Sequence, residues 1–366
     1  MSLVDVTAFS LDEMLADLQT LVEIESPSHD VEALTESATA LAAMMDRHLG
    51  GSAQLIDGPE GPHILWSGGA DPKVLLLGHH DTVFPRGTLA RRPFTVADGK
   101  VTGPGCFDML AGIVQAIHGV ASLPDRSAVE MLFSADEEVG SKTSRALIEE
   151  RAKACGAVLV LEPSAPGGAL KTGRKGCGTF EVTIAGRAAH AGLEPENGVN
   201  ALIEASHQVL AIAEIGRPDL GTTVTPTVSS SGTADNVIPA EAVIKVDVRV
   251  ESAEEKGRVE AAMAGLATKI DGATLSVTGG VNRPAMPESA SATLFPIAEQ
   301  VAPGVEGLAV GGGSDGNFTA AIGVPTLDGL GAVGGGAHAD TEHVIADTMP
   351  ERARLVAGIV QGVIDA

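Results

Sequence analysis

Residues 74–82 read VLLLGHHDT: four aliphatic side chains in succession, a glycine, then two histidines and an aspartate. So short an unbroken apolar run predicts a strand buried on both faces, as in α/β sheets, rather than the alternating strand of a sheet with one wet face. The polar residues fall at its carboxyl end, where ligands bind in open α/β sheets. Residues two apart on an extended chain point the same way, so His79 and Asp81 can share one site while His80 faces elsewhere. A carboxylate at Asp81 would orient the imidazole and raise its basicity toward a metal.

Outward from this strand the pattern repeats. VEMLFS (129–134) and AVLVLE (157–162) are further buried runs, separated by helical spacing near 110–122 and 142–154. Upstream, Ser10 precedes LDEMLADLQTLVEI, an N-capped helix with acids in its first turn, and a second helix is expected over 31–48. From Gly178 the texture changes to alternating strands, TFEVTIAG, TTVTPTVSS and AVIKVDVRV, with helices near 197–214 and 252–269. After Pro287 the α/β texture returns, with helices near 288–302 and 349–365. The expected organisation is an α/β domain of residues 1–177 and 287–366, interrupted by a smaller α+β insert at 178–286.

Composition agrees with two domains, since 366 residues exceed what one core usually serves and 44% are hydrophobic. The excess of 48 acidic over 24 basic residues, a net charge of −24, argues against nucleic acid and against anionic membrane surfaces as partners. Cys106, Cys155 and Cys177 are odd in number and widely spaced, which suggests neither a disulfide framework nor a thiolate zinc site. The amino terminus, MSLVDVTAFSLDEMLADL, lacks the apolar core of a signal peptide, and no stretch is long and apolar enough to span a membrane. A cytoplasmic location is expected.

Four further clusters join GHHDT. GPGCFDM sets Asp108 after a rigid turn, where helix capping is the plainer reading. FSADEEVGS places Asp136, Glu137 and Glu138 at a strand end, where three adjacent acids repel unless cations compensate them. VLVLEPS ends a strand on Glu162, and GGGAHADTEHV holds His338 between a glycine run and acids. Each is weak alone. Together they gather imidazoles and carboxylates in one α/β domain, a mixture that suits zinc or a related divalent ion.

In this order GHHDTV, GPGCFDM, ADEEVGS, LEPS and GGAHAD resemble the motifs of M20 metallopeptidases, and most closely the carboxypeptidase G2, or glutamate carboxypeptidase, branch. GRAAHAG, ADNVIP and VDVRV extend the resemblance through the insert. It implies a di-metal peptidase domain with a mixed sheet, interrupted by a ferredoxin-like lid and dimerisation domain. It implies two divalent ions, zinc with cobalt or manganese as alternatives, held by His79, Asp108, Glu138, Glu162 and His338. Asp108 would bridge them, Asp81 would orient His79, and Glu137 would be the general base. His190 would reach a partner subunit's site, while Asn236, Arg249 and Arg283 would hold a substrate carboxylate. Leu110 and Ala111 depart from the lysine and glycine that often follow the bridging aspartate, which puts the entrance to the site in doubt but not its ligands.

His29, His48, His63, His118 and His207 stand in no such context, and His343 reads as a helix-start or surface residue. Ser314 and Asp315 in GGGSDGN suit either capping or an anion at a helix start. The leading reading is a homodimeric carboxypeptidase that acts on a small molecule or short peptide with a free carboxylate. An N-acyl-amino-acid deacylase or desuccinylase and a catalytically dead binding protein are the alternatives. The complete acid and histidine set argues against the last.

Overall fold

The structure, a computed structural model, describes residues 9–366. Residues 1–8, on which part of the reading against a signal peptide rests, lie outside it. Among the described residues no helix is long and apolar enough to cross a membrane.

Ser10 accepts the N–H of Glu13 and starts α1 (Leu11–Ile24); Asp30 accepts that of Ala33 and starts α2 (Val31–Leu49). Strands β1 (Gln54–Ile56), β2 (His63–Ser67), β3 (Val74–His79), β4 (Thr95–Ala97) and β5 (Lys100–Thr102) follow. Next come α3 (Ala111–Ala121), β6 (Val129–Ser134), α4 (Arg145–Cys155), β7 (Val158–Val160) and β8 (Leu170–Arg174). The middle of the chain contributes β9 (Gly176–Ala185), α5 (Ala201–Ala213), β10 (Thr223–Ser231), β11 (Glu241–Val250), α6 (Ala253–Ala264) and β12 (Thr274–Arg283). The last part holds α7 (Phe295–Val301), β13 (Gly307–Val310), α8 (Gly316–Ala321), β14 (Thr326–Leu327), β15 (Gly334–Gly335), β16 (His343–Ile345) and α9 (Met349–Asp365).

Contacts divide the chain into two units, one running to Arg174 and resuming at Met286–Val310 and Ser314–Ala366, the other Lys175–Ala285 with Gly311–Gly313. The first is built on a mixed sheet in the order β1-β2-β6-β3-β7-β14, parallel from β6 to β14 and antiparallel at the β1-β2-β6 edge. All six residues of β3 and of β6 are buried, as a doubly covered strand requires. Val74 and Leu76 join the core beneath α1, α2, α3 and α9, whereas Leu75 and Leu77 face Ile148 and Ala152 of α4. Glu130 is buried within β6 because Arg151 of α4 holds its carboxylate through two hydrogen bonds of 2.6 and 2.7 Å. A small sheet, β15-β16-β5-β4, completes this unit with the β8-β13 pair.

The second unit is β-α-β-β-α-β, with all neighbours antiparallel in the order β10-β11-β9-β12. This is the ferredoxin-like arrangement. Inward residues Phe180, Val182, Ile184, Val246 and Val248 pack with Ala205, Ile212 and Val259 from α5 and α6.

Four helices differ from the sequence expectation; α5 begins at Ala201 rather than near 197, and α6 ends at Ala264, before Gly265, rather than near 269. The one expected over 142–154 begins at Arg145, because Glu137–Val139 form a separate 3-10 turn closed by Gly140 at φ 95°. The one expected over 288–302 is a 3-10 turn, Glu288–Ser291, followed by α7, whose first turn takes Pro296 where no N–H is needed.

Candidate metal centre

The three central parallel strands β6, β3 and β7 end side by side. His79 closes β3, Glu137 and Glu138 follow β6, and Glu162 follows β7. Asp108 enters from the turn before α3, and His338 from the loop between β15 and β16, at φ 63°. Close backbone approach makes this convergence feasible: a Cβ on Gly112 of α3 would stand 2.3 Å from the carbonyl of Leu161, the residue before Glu162.

Asp108 lies between two groups. Its Oδ1 is 3.5 Å from His79 Nε2, which is 3.6 Å from Glu162 Oε1. Its Oδ2 is 3.3 Å from His338 Nε2, which is 3.1 Å from Glu138 Oε1. Two ligands each ~2.0–2.2 Å from a shared ion are separated by about 3 to 3.5 Å, so both groups have ligand spacing. Asp108 Oδ1 and Glu138 Oε1 are buried and accept no hydrogen bond, an arrangement that is costly unless a cation faces them. The donor set therefore fits a pair of divalent ions. Glu137 lies with His79 and Glu162 in a group whose ligand atoms fall within 4.8 Å of one another.

Asp81 organises this site from behind. His79 Nδ1 donates to the Asp81 carbonyl at 2.9 Å and lies 3.4 Å from its Oδ1, leaving Nε2 as the face toward Asp108 and Glu162. The same carboxylate accepts the N–H groups of Glu137 (3.1 Å) and Glu138 (3.2 Å) and the hydroxyl of Ser28 (2.8 Å). Burial opposes charge on Asp81, but His79 and Ser28 hold it below the usual carboxylate range. Burial likewise opposes charge on His79, and Asp108, Asp81 and Glu162 outweigh it, raising its pKa well above the ordinary value. The adjacent carboxylates of Asp108 and Glu138 push His338 up to about 10, while burial raises Glu138. The carboxylates gathered around both imidazoles favour positive charge between them.

No motif assigns Arg174 or Glu342 a role at this centre, and Asp315 stands in the GGGSDGN turn. Arg174 donates to Asp328 at 2.7 and 2.9 Å and to Glu162 at 3.3 Å, so a buried guanidinium backs one candidate ligand. Asp315 accepts from Ser134 Oγ at 3.2 Å and from Ser141, and Ser314 donates to Asp328 at 2.6 Å; the GGGSDGN turn thus serves a buried network. Glu342, fully buried, accepts the N–H groups of Gly105, Phe107 and Asp108. Leu110 and Ala111 are buried at the start of α3. His80 is buried and bonded to Ser37 and the Pro62 carbonyl. Burial raises the Cys106 thiol far above its usual range, consistent with no nucleophilic role.

A second histidine group lies elsewhere in this unit: His48 and His118 both direct Nε2 at Asp17 Oδ2, at 2.7 and 2.9 Å. Arg47 also bonds that carboxylate and lies 3.3 Å from His48 Nε2. These distances are those of hydrogen bonds, and the guanidinium already neutralises the acid.

The insert residues occupy the second unit. Arg249 of β11 and Arg283 of β12 both pair with Cys177 of β9, forming a row across three strands. Arg249 is also gripped by Asp247 through bonds of 3.1 and 3.0 Å. His190 and Asn236 are exposed on adjoining loops, joined by a hydrogen bond from Ala191 N–H to the Asn236 carbonyl. His190 Nδ1 accepts from Gly192 and Leu193, which leaves the proton on Nε2.

The chain is 33% identical to carboxypeptidase G2 of Pseudomonas sp. (strain RS-16), over 95% of this chain and 88% of that one. It belongs to the M20 family of metallopeptidases. A profile described as the peptidase dimerisation domain matches residues 172–275. Succinyl-diaminopimelate desuccinylase 1 of Alteromonas mediterranea is 31% identical over 56% of this chain and 58% of its own length. Among solved structures, an M20 family metallo-carboxypeptidase, Sso-CP2 from Sulfolobus solfataricus, shares the fold with a TM-score of 0.77 at 16% identity, over 97% of this chain and all of that one. This M20 protein is a hydrolase, which removes the inactive-binding-protein alternative.

Proposed function

We propose that this M20 hydrolase is a carboxypeptidase of the glutamate carboxypeptidase type, cleaving an amide or peptide bond beside a free carboxylate. The observation that carries the reading is Asp108, whose two oxygens face two ligand groups. His79, Asp108 and Glu162 would hold one ion, and Asp108, Glu138 and His338 the other, with zinc the first candidate and cobalt or manganese alternatives. When bound, such a pair supplies Lewis acidity to the scissile carbonyl and lowers the pKa of the attacking water.

Glu137 takes the proton from that water and returns it to the leaving amine; its backbone, fixed by Asp81, keeps the carboxylate beside His79 and Glu162. Asp81 keeps His79 Nε2 turned inward. In the insert, residues 178–286, Arg249 and Arg283 grip the substrate carboxylate from one row, with Asp247 fixing the plane of the Arg249 guanidinium. The dimerisation-domain match and the two sheet edges, β10 and β12, support a homodimer in which His190 donates Nε2–H to the oxyanion in the partner's site and Asn236 assists. A cytoplasmic location accords with cysteines that, among the described residues, form no disulfide.

The similarity to a desuccinylase favours one second reading, deacylation of an N-acyl amino acid by the same residues. A substrate panel decides between them: metal-free protein is reconstituted with zinc, cobalt or manganese and given dipeptides, N-acyl glutamates and N-succinyl amino acids. Fastest turnover of glutamate-terminal amides supports the carboxypeptidase, and a preference for succinyl substrates supports the deacylase. Equal turnover of carboxyl-blocked analogues would refute both.

A further inference from the structure

Glu342 stands four residues beyond His338 and on the far side of the chain from Asp108, yet its carboxylate ties the two segments together. Oε1 accepts from Phe107 N–H at 2.8 Å and from Asp108 N–H at 3.0 Å, and Oε2 accepts from Gly105 N–H at 3.3 Å. Gly105, at φ 71°, starts the turn that delivers Asp108, and a Cβ there would strike Thr82 Cγ2 at 2.3 Å. That turn leaves β5, and β5 pairs with β16, the strand whose approach carries Glu342. The His338 loop is closed on the same base: Glu342 N–H donates to the Ala339 carbonyl and Ala339 N–H to that of Gly336. Arg92 Nη2 adds a bond to the Glu342 carbonyl at 3.3 Å.

We infer that Glu342 is a positioning residue that sets the distance between Asp108 and His338, and thereby the affinity of the Glu138/His338 cation site. The inference rests on the two-cation reading above. It is specific in direction. Asp108 Oδ2 and His338 Nε2, 3.3 Å apart, come from segments that Glu342 spans, whereas His79 and Glu162 are fixed by their own strands. A loosened turn therefore weakens the site that needs both movable segments more than the site that needs only one. Groups that orient metal ligands from outside typically alter affinity ~10- to 100-fold when removed.

Zinc titration of the metal-free protein against a chromophoric chelator resolves two binding steps, and His338→Ala identifies which belongs to His338. Glu342→Gln keeps an acceptor for Phe107 and Asp108 but turns a donor toward Gly105. It should weaken the His338 step ~10- to 100-fold and the other step several-fold less, with the metal-free protein still unfolding in one cooperative transition. Glu342→Ala should weaken the same step further. Equal loss at both steps, or none, would overturn the inference, as would failure of both variants to fold, which would make the carboxylate a folding element. If the wild type bound no zinc, the two-cation reading itself would fall. Two bound ions with an unchanged Glu342→Gln would instead sink only the role given to Glu342.

Discussion

Replacing Arg174 with methionine should destabilise the metal-free protein severely, although neither its ion pairs nor its position lies in a recognisable motif. The side chain is buried, with 4% of its surface exposed, and Asp328 is wholly buried. Methionine fills much of the volume but leaves Asp328 without two hydrogen bonds and Glu162 without its nearby guanidinium. Breaking a buried pair in this way costs about 3–5 kcal/mol, because one charge stays behind uncompensated. For a domain of this size that is a fall in Tm of roughly 6 to 20 °C by calorimetry. Two controls bear on the cause. Saturating zinc should shrink the loss, since a cation beside Glu162 replaces part of the missing charge. Asp328→Asn added to Arg174→Met should recover about 1 kcal/mol or more instead of adding a second penalty. A Tm within about 2 °C of wild type, or a double variant whose losses simply add, would refute the argument.

Other outcomes follow from the same geometry. Glu137→Gln should retain both metals by elemental analysis while turnover drops ~10²- to 10⁴-fold; loss of metal would make Glu137 a ligand instead. Arg249→Lys keeps the charge but not the planar fork that Asp247 orients, so kcat/KM for free-acid substrates should fall at least about tenfold, with carboxyl-blocked substrates poor for both enzymes. Burial lowers the His80 pKa from 6.5 to about 4, so the folded state holds this ring neutral. Between those values the unfolded chain binds the extra proton, and stability must fall as pH drops from 6.5 toward 4, by roughly 3 kcal/mol from this residue. Urea unfolding at the two ends of that range should show a correspondingly smaller fall in His80→Gln, and an identical fall would assign the acid sensitivity elsewhere.

The strands that carry the candidate ligands were legible because they are buried on both faces and therefore apolar throughout, as in VLLLG and VEMLFS. Their ends were legible because histidines and acids interrupt apolar runs abruptly. Asp81, two residues from His79, was legible as well, but residues that act from behind across long sequence separations were not. Arg174 lies 154 residues from Asp328, and Glu342 is 234 residues from Asp108, so no local spacing signals either pairing. The small sheet escaped notice for another reason: strands such as Gly334–Gly335 have no side chains from which to read a period. Pro296 and Gly140 moved two helix boundaries by imposing turns that apolar spacing does not register.

The route of the chain through the first unit has a consequence for its birth on the ribosome. His79, Asp108, Glu137, Glu138 and Glu162 are all synthesised before the ferredoxin-like unit, and His338 only after it. At ~5–20 residues per second the nascent protein displays an acid-rich half-site for roughly 10 to 35 s before its last histidine exists. During that interval a metal captured by the early segment lacks one of its proposed protein ligands. The insert, contiguous in sequence, can finish folding in the meantime. Assembly of the centre is thereby deferred until the β15–β16 segment, with His338 and Glu342, has been made.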